Sequence, residues 1–120
     1  MIKSPISQSF GVNPLAMERA TSHQLKEPVL KQMLIIFKAI SDETRLKILR
    51  LLQFEQLCVG DIALVMKMTK SAVSHQLKYL KNAELIKSQR QGKNIYYSIQ
   101  DHCVQELIEV ALHHVSEHHR

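Results

Sequence analysis

The sequence predicts a mainly α-helical domain with a small β-hairpin near its end. Three observations point there. Apolar residues recur at spacings of three and four from Val29 to Leu80, the period of one buried helix face. The pattern then changes to alternation over Ile86–Gln91 and Ile95–Ile99, on either side of Gly92-Lys93-Asn94, as two strands joined by a turn require. Helical spacing returns from Asp101 to about His118.

At 120 residues the chain suits one domain with a modest core, a size at which pairing with a second copy adds useful burial. With 45% apolar and 22% charged residues it has the composition of a folded globular protein. No apolar run approaches the roughly 20 residues that span a bilayer, and no basic-then-apolar signal opens the chain. A cytoplasmic protein without a membrane partner is therefore expected. Two cysteines, Cys58 and Cys103, do not make a disulfide scaffold in such a chain.

Residues 1–24 hold Pro5, Gly11 and Pro14 among many Ser, Thr and Asn, and read as a flexible arm with a helical turn near Leu15–Ala20. Residues 25–120 read as the folded domain. From Pro28, a good first-turn residue, Val29, Met33, Ile36, Phe37 and Ile40 trace a stripe broadened by Leu30, Leu34 and Ile35. So wide an apolar face is more than one small core needs, which fits a dimer contact or equally a helix fully buried within the monomer. Ser41-Asp42-Glu43-Thr44 is a helix-start cluster. The helix it opens, to about Gln53, brings Leu46, Leu49 and Leu52 to the core, with Ile48 and Leu51 beside them.

Asp61–Met66 and Thr69–Lys81 form two short helices separated by Lys67-Met68. In the second, Thr69 is a natural N-cap and Val73, Leu77 and Leu80 share the buried stripe. Lys70, Ser71, Ser74, His75 and Lys78 lie on the opposite side. That is the helix-turn-helix pattern, with a small, polar, cationic second helix for the major groove. The hairpin that follows is a wing with Arg90 and Lys93 near its tip, within reach of the phosphate backbone or minor groove. Charge agrees: Lys67, Lys70, Lys78, Lys81, Lys87, Arg90 and Lys93 face only Glu84 within their segment, although the whole chain carries only +5. A polyanion, double-stranded DNA, is the partner such a segment suits.

With those segments in place, the chain resembles the ArsR/SmtB family of winged-helix metal-sensing repressors over about residues 34–117. The resemblance rests on Phe37-Lys-Ala-Ile-Ser-Asp-Glu-Thr-Arg-Leu-Lys-Ile-Leu49, Leu57-Cys-Val-Gly-Asp-Ile-Ala63, Ser71-Ala-Val-Ser-His-Gln-Leu-Lys-Tyr-Leu80 and Gly92-Lys-Asn-Ile-Tyr-Tyr-Ser98. It implies a homodimeric winged helix-turn-helix repressor that binds a palindromic operator and releases it when an inducer, usually a metal ion, binds.

The last helix carries the inducer chemistry. Val104, Leu107, Ile108, Ala111 and Val115 form a seam suited to a partner helix, while Cys103, Leu107, Val110, His114 and Glu117 share a second stripe. Eleven residues of helix separate Cys103 from His114 by about 16 Å, too far for one ion within one chain. If two such helices pair antiparallel, Asp101 and Cys103 of one copy meet His114 and Glu117 of the other, twice by symmetry. Two oxygens, a nitrogen and a sulfur suit zinc, or softer cadmium. The resemblance points to the same four positions, with Cys103 where the family more often has His; His118 is an alternative to Glu117. In a thiolate-binding subset of the family Cys-Val-Cys supplies ligands at Cys58, but here Gly60 takes the second place, so Cys58 reads as structural and half-buried. A redox or sulfur-species sensor using Cys58 and Cys103 is the alternative reading. An enzyme is not expected, because four protein ligands leave no open position on the ion.

Overall fold

The computed structural model describes residues 11–118, of which the side chain of residue 118 is excluded. The first ten residues of the expected arm, and His118 and His119 as side chains, lie outside that description. The elements run α1 Pro14–Ser22, α2 Glu27–Ile40, α3 Glu43–Leu52, β1 Leu57–Cys58, α4 Val59–Met66, α5 Lys70–Asn82, β2 Ile86–Gln91, β3 Asn94–Ile99 and α6 His102–His118. The helical turn expected near Leu15–Ala20 is thus a nine-residue helix, started by Pro14 and capped by the Asn13 side chain on Ala16 N. Compact units divide between Met33 and Leu34, inside α2.

The second unit is built on one core. Ile48, Leu49 and Leu52 of α3, Ile62 and Ala63 of α4, and Val73, Leu77 and Leu80 of α5 are buried together with Leu85, Ile86, Val104 and Ile108. Leu46, expected in that core, is exposed, and Leu51 is half-buried. The α3 stripe is therefore Ile48, Leu49 and Leu52, keeping Leu49 and Leu52 of the expected stripe with Ile48 in place of Leu46. The sheet is antiparallel with strand order β1-β3-β2. β1, unforeseen in the sequence, pairs Leu57 with Tyr97 and Cys58 with Tyr96. Gln91 pairs with Asn94, so the wing turn is Gly92-Lys93 alone and Asn94 belongs to the strand. Gly92 has φ 65° while Lys93 stays negative, the pattern of a type II′ turn, whose twist matches the strands it joins.

Both helices of the helix-turn-helix end in left-handed residues that are not glycine. Lys67 has φ 56° and Glu84 φ 58°. Met68 N bonds Ala63 O and Lys67 N bonds Leu64 O after α4; Leu85 N bonds Leu80 O and Glu84 N bonds Lys81 O after α5. These are two Schellman closures, and in the second Leu80 and Leu85 are buried with the core. A left-handed L-residue costs about 1–2 kcal/mol that glycine does not incur, less glycine's extra chain entropy. Glu84→Gly is expected to stabilise the fold by about 0.5–1 kcal/mol, read as a rise of a few degrees in Tm. An unchanged or lower Tm contradicts this end geometry.

Candidate functional site

The orientation of α5 follows from its buried stripe. Thr69 Oγ1 accepts from Ala72 N at 3.1 Å, which starts the helix where the sequence placed it. Val73, Leu77 and Leu80 are wholly buried, so the helix cannot turn about its axis without exposing them. Lys70, Ser71, Ser74, His75 and Lys78 are all exposed as a consequence. The Lys70 stem passes over Gly60, its Cε 3.7 Å from where a Cβ there would stand. At that distance a Cβ would make ordinary van der Waals contact with the Lys70 side chain.

The wing stands beside this face. Ile86 anchors β2 in the core, whereas Lys87, Gln89, Arg90 and Gln91 are exposed, as is Lys93 in the turn. Lys81, near the end of α5, donates from Nζ to Ser88 Oγ at 2.6 Å and so ties the helix to the strand. Lys67, Lys70, Lys78, Lys81, Lys87, Arg90 and Lys93 are all exposed, and no ion pair among the described residues neutralises any of them. Their combined field is available to a polyanion.

The first half of α6 is anchored to the domain. Gln105 Nε2 donates to Gln53 O at 3.1 Å and Gln53 Nε2 to Gln105 O at 3.5 Å, while Arg50 Nη1 lies 3.4 Å from Glu109 Oε1. Val104 and Ile108 pack into the domain's own core, so this part of the seam expected for a partner helix is already occupied. From Glu109 to Glu117 every residue is exposed, including Val110, Leu112 and Val115. The stripe of Cys103, Val110, His114 and Glu117 is exposed along its length, with Leu107 half-buried.

The four proposed donors occupy the two ends of this helix. Asp101 is its N-cap, with Oδ1 accepting from Val104 N at 3.1 Å, an arrangement that leaves Oδ2 outside the cap bond. Cys103 is an exposed free thiol. His114 is exposed, and Glu117 Oε1 lies 3.3 Å from His113 Nε2 in a surface pair. A single chain does not gather them: among the described residues no group of three or more His, Cys, Asp or Glu is placed to hold a metal ion. The donor types nevertheless fit a tetrahedral divalent site if completed from a second copy. Cys58, the other thiol, is half-buried in β1 and donates to Asp61 Oδ2 at 3.4 Å. No helix among the described residues is long and apolar enough to cross a membrane.

Missed in the sequence were Lys81 as the link to the wing, Gln53 and Gln105 as the clasp on α6, and the capping role of Asp101. Only the last had a local signal, an Asp immediately before an apolar-periodic run. The others join residues whose meeting depends on tertiary packing.

Comparison with known proteins gives consistent relatives. The family model described as bacterial regulatory protein, arsR family, matches residues 42–88. A transcriptional repressor SmtB homolog of Synechocystis is 41% identical over 87 residues, covering 72% of this chain and 66% of that protein. A cadmium resistance transcriptional regulatory protein CadC homolog of Staphylococcus aureus is 42% identical over 83 residues, covering 68% and 69%. The homodimeric winged helix-turn-helix DNA-binding domain of a possible ArsR-family regulator from Mycobacterium bovis superposes with a TM-score of 0.75 at 29% identity, covering 81% of this chain and 92% of that one. These relatives are transcriptional regulators, not enzymes.

The double role of Asp101 can be separated by substitution. Asp101→Asn keeps a capping oxygen and is expected to change stability by a few tenths of a kcal/mol, whereas Asp101→Ala costs about 1 kcal/mol. Denaturant titration measures both; equal losses contradict the capping geometry.

Proposed function

This chain belongs to the arsR family of bacterial regulatory proteins, and on that basis we propose that it is a metal-responsive repressor acting as a homodimer. α5 enters the major groove of operator DNA through Lys70, Ser71, Ser74, His75 and Lys78, and the wing reaches the backbone through Arg90 and Lys93. The observation that carries this reading is the division of α5 into a wholly buried apolar stripe and an exposed cationic polar face, flanked by a wing whose cations are in no ion pair among the described residues.

The inducer site lies between subunits. Asp101 and Cys103 of one α6 and His114 and Glu117 of the other complete one cage, and the reverse pairing completes a second. The unpacked half of α6 and the exposed Leu34, Ile35 and Phe37 of α2 supply the apolar surface that pairing requires. The donor set suits zinc or cadmium, and the Staphylococcus aureus relative is itself named for cadmium resistance. Such an ion would supply bonds that join the two helices across the dimer seam.

Control follows from linkage. Two recognition helices must be spaced for successive major grooves, about 34–36 Å apart. Any ligand that prefers a dimer with another spacing lowers DNA affinity by the same coupling free energy, typically about 1–3 kcal/mol. The residues at the seam set that spacing, while those of α5 read the sequence.

Cys103→Ala and His114→Ala are expected to leave operator affinity intact and to abolish release by zinc or cadmium in a gel-shift; normal release removes the assigned site. Joint replacement of Ser74 and His75 by Ala is expected to lose the operator and keep ion binding, and retained sequence-specific binding contradicts the assignment of α5. Zinc is also expected to protect Cys103, but not Cys58, from alkylation followed by mass spectrometry. Equal protection of both thiols counts against the α6 site.

A further inference from the structure

Arg45 joins the end of α2 to the flank of α5. Among the last four carbonyls of α2, Phe37 O accepts from Ser41 N at 2.9 Å and Ile40 O from Asp42 N at 2.8 Å. The other two are taken by one guanidinium: Arg45 Nε donates to Ala39 O at 2.7 Å and Nη2 to Lys38 O at 3.3 Å. The C-terminal end of α2 is thereby fully satisfied, as helix ends require. On its remaining side Arg45 Nη1 donates to Gln76 Oε1 at 3.2 Å, and the guanidinium carbon lies 3.9 Å from the centroid of the Tyr79 ring. Asp42, whose Oδ2 also caps α3 through Arg45 N, adds a weak ion pair at 3.9 Å.

Gln76 and Tyr79 are three residues apart on one shoulder of α5, between its buried stripe and the side that carries His75. A planar fork gripping that shoulder and the carbonyls of α2 adds to the buried stripe a second restraint that narrows the remaining rotation of α5 about its own axis. With a helix radius of about 5–6 Å including side chains, a turn of about 20° displaces a surface group by about 2 Å. That is enough to break a hydrogen bond to a base edge.

We propose that Arg45 is the positioning residue of the recognition helix, setting the angle at which Ser74 and His75 meet the operator. This rests on the reading that α5 meets DNA. Arg45 itself acts through Gln76 and Tyr79, and its side chain is only 14% exposed. Lysine cannot replace it, because a point-like ammonium does not reproduce the planar, several-donor grip or the stacking on a ring.

The test compares the full-length protein with Arg45→Lys, Tyr79→Leu and Tyr79→Phe. Amide spectra of the free proteins by heteronuclear NMR report the position of α5, and anisotropy titrations report affinity for the protein's own upstream DNA and for unrelated DNA of equal length. Arg45→Lys is expected to stay folded, to shift the amides of Ser74 to Lys81, and to lose about tenfold or more in operator affinity. Affinity for unrelated DNA and its salt slope should change by less than about twofold, since the phosphate contacts remain. Tyr79→Leu is expected to lose about threefold in the same selective manner, and Tyr79→Phe, which keeps the ring face, to match the parent. If Arg45→Lys does not fold, Tyr79→Leu decides alone. Shifts confined to the surroundings of residue 45, or equal losses on both DNAs, overturn the proposal. A parent protein that does not discriminate between the two DNAs overturns instead the reading of α5, and the NMR comparison still judges the clamp.

Discussion

One small core constrains everything else in this molecule. Ile48, Leu49, Ile62, Val73, Leu77, Leu80, Leu85 and Ile86 are each almost completely buried, and they fix α3, α4, α5 and the root of the wing against one another. The same core is too small to cover the outer helices. Phe37 remains 48% exposed, and Val110 66%. Such surface is unfavourable in water by about 25 cal/mol per Å² relative to burial, so the chain carries both a finished DNA-facing unit and an unfinished apolar margin.

That division assigns separate work to separate helices. α5 is held by its buried stripe at one side and by Arg45 at the shoulder, so its polar face is presented in a defined direction. α6 is held at Val104, Ile108 and the Gln53–Gln105 clasp, and from Glu109 to Glu117 its side chains are exposed. The chemistry-bearing groups lie at both ends of this helix: Asp101 and Cys103 beside the anchored end, His114 and Glu117 on the open one. In the proposed reading, an effector bound across two copies would act on the exposed half of this helix.

Much of this is legible in the residues alone, for reasons that can be named. α5 announces itself by the Thr69 cap and the spacing of Val73, Leu77 and Leu80, because local period and local capping agree. The wing shows as a change from helical to alternating period around Gly92. Less legible are features with no local signature. Lys67 and Glu84 adopt left-handed conformations usually given to glycine, so no glycine marks these helix ends, although the break at Lys67-Met68 shows in the apolar spacing. β1 is only two residues long and exists because Tyr96 and Tyr97 stand opposite it. In α6 the apolar period is real, yet it cannot say that Val104 and Ile108 serve the chain's own core while Val115 does not. Arg45 reads as an ordinary helix cation until Gln76, 31 residues away, is seen beside it.

The central claim is that two copies lie antiparallel along α6, with position 103 of each beside position 114 of the other. Oxidative crosslinking tests it most directly, using His114→Cys in a Cys58→Ser background that retains the native Cys103. The account predicts a covalent dimer under mild oxidation, with mass spectrometry identifying bridges between positions 103 and 114 of different copies. Bridges joining 103 to 103 or 114 to 114, or a chain that stays monomeric under denaturing conditions, would contradict it.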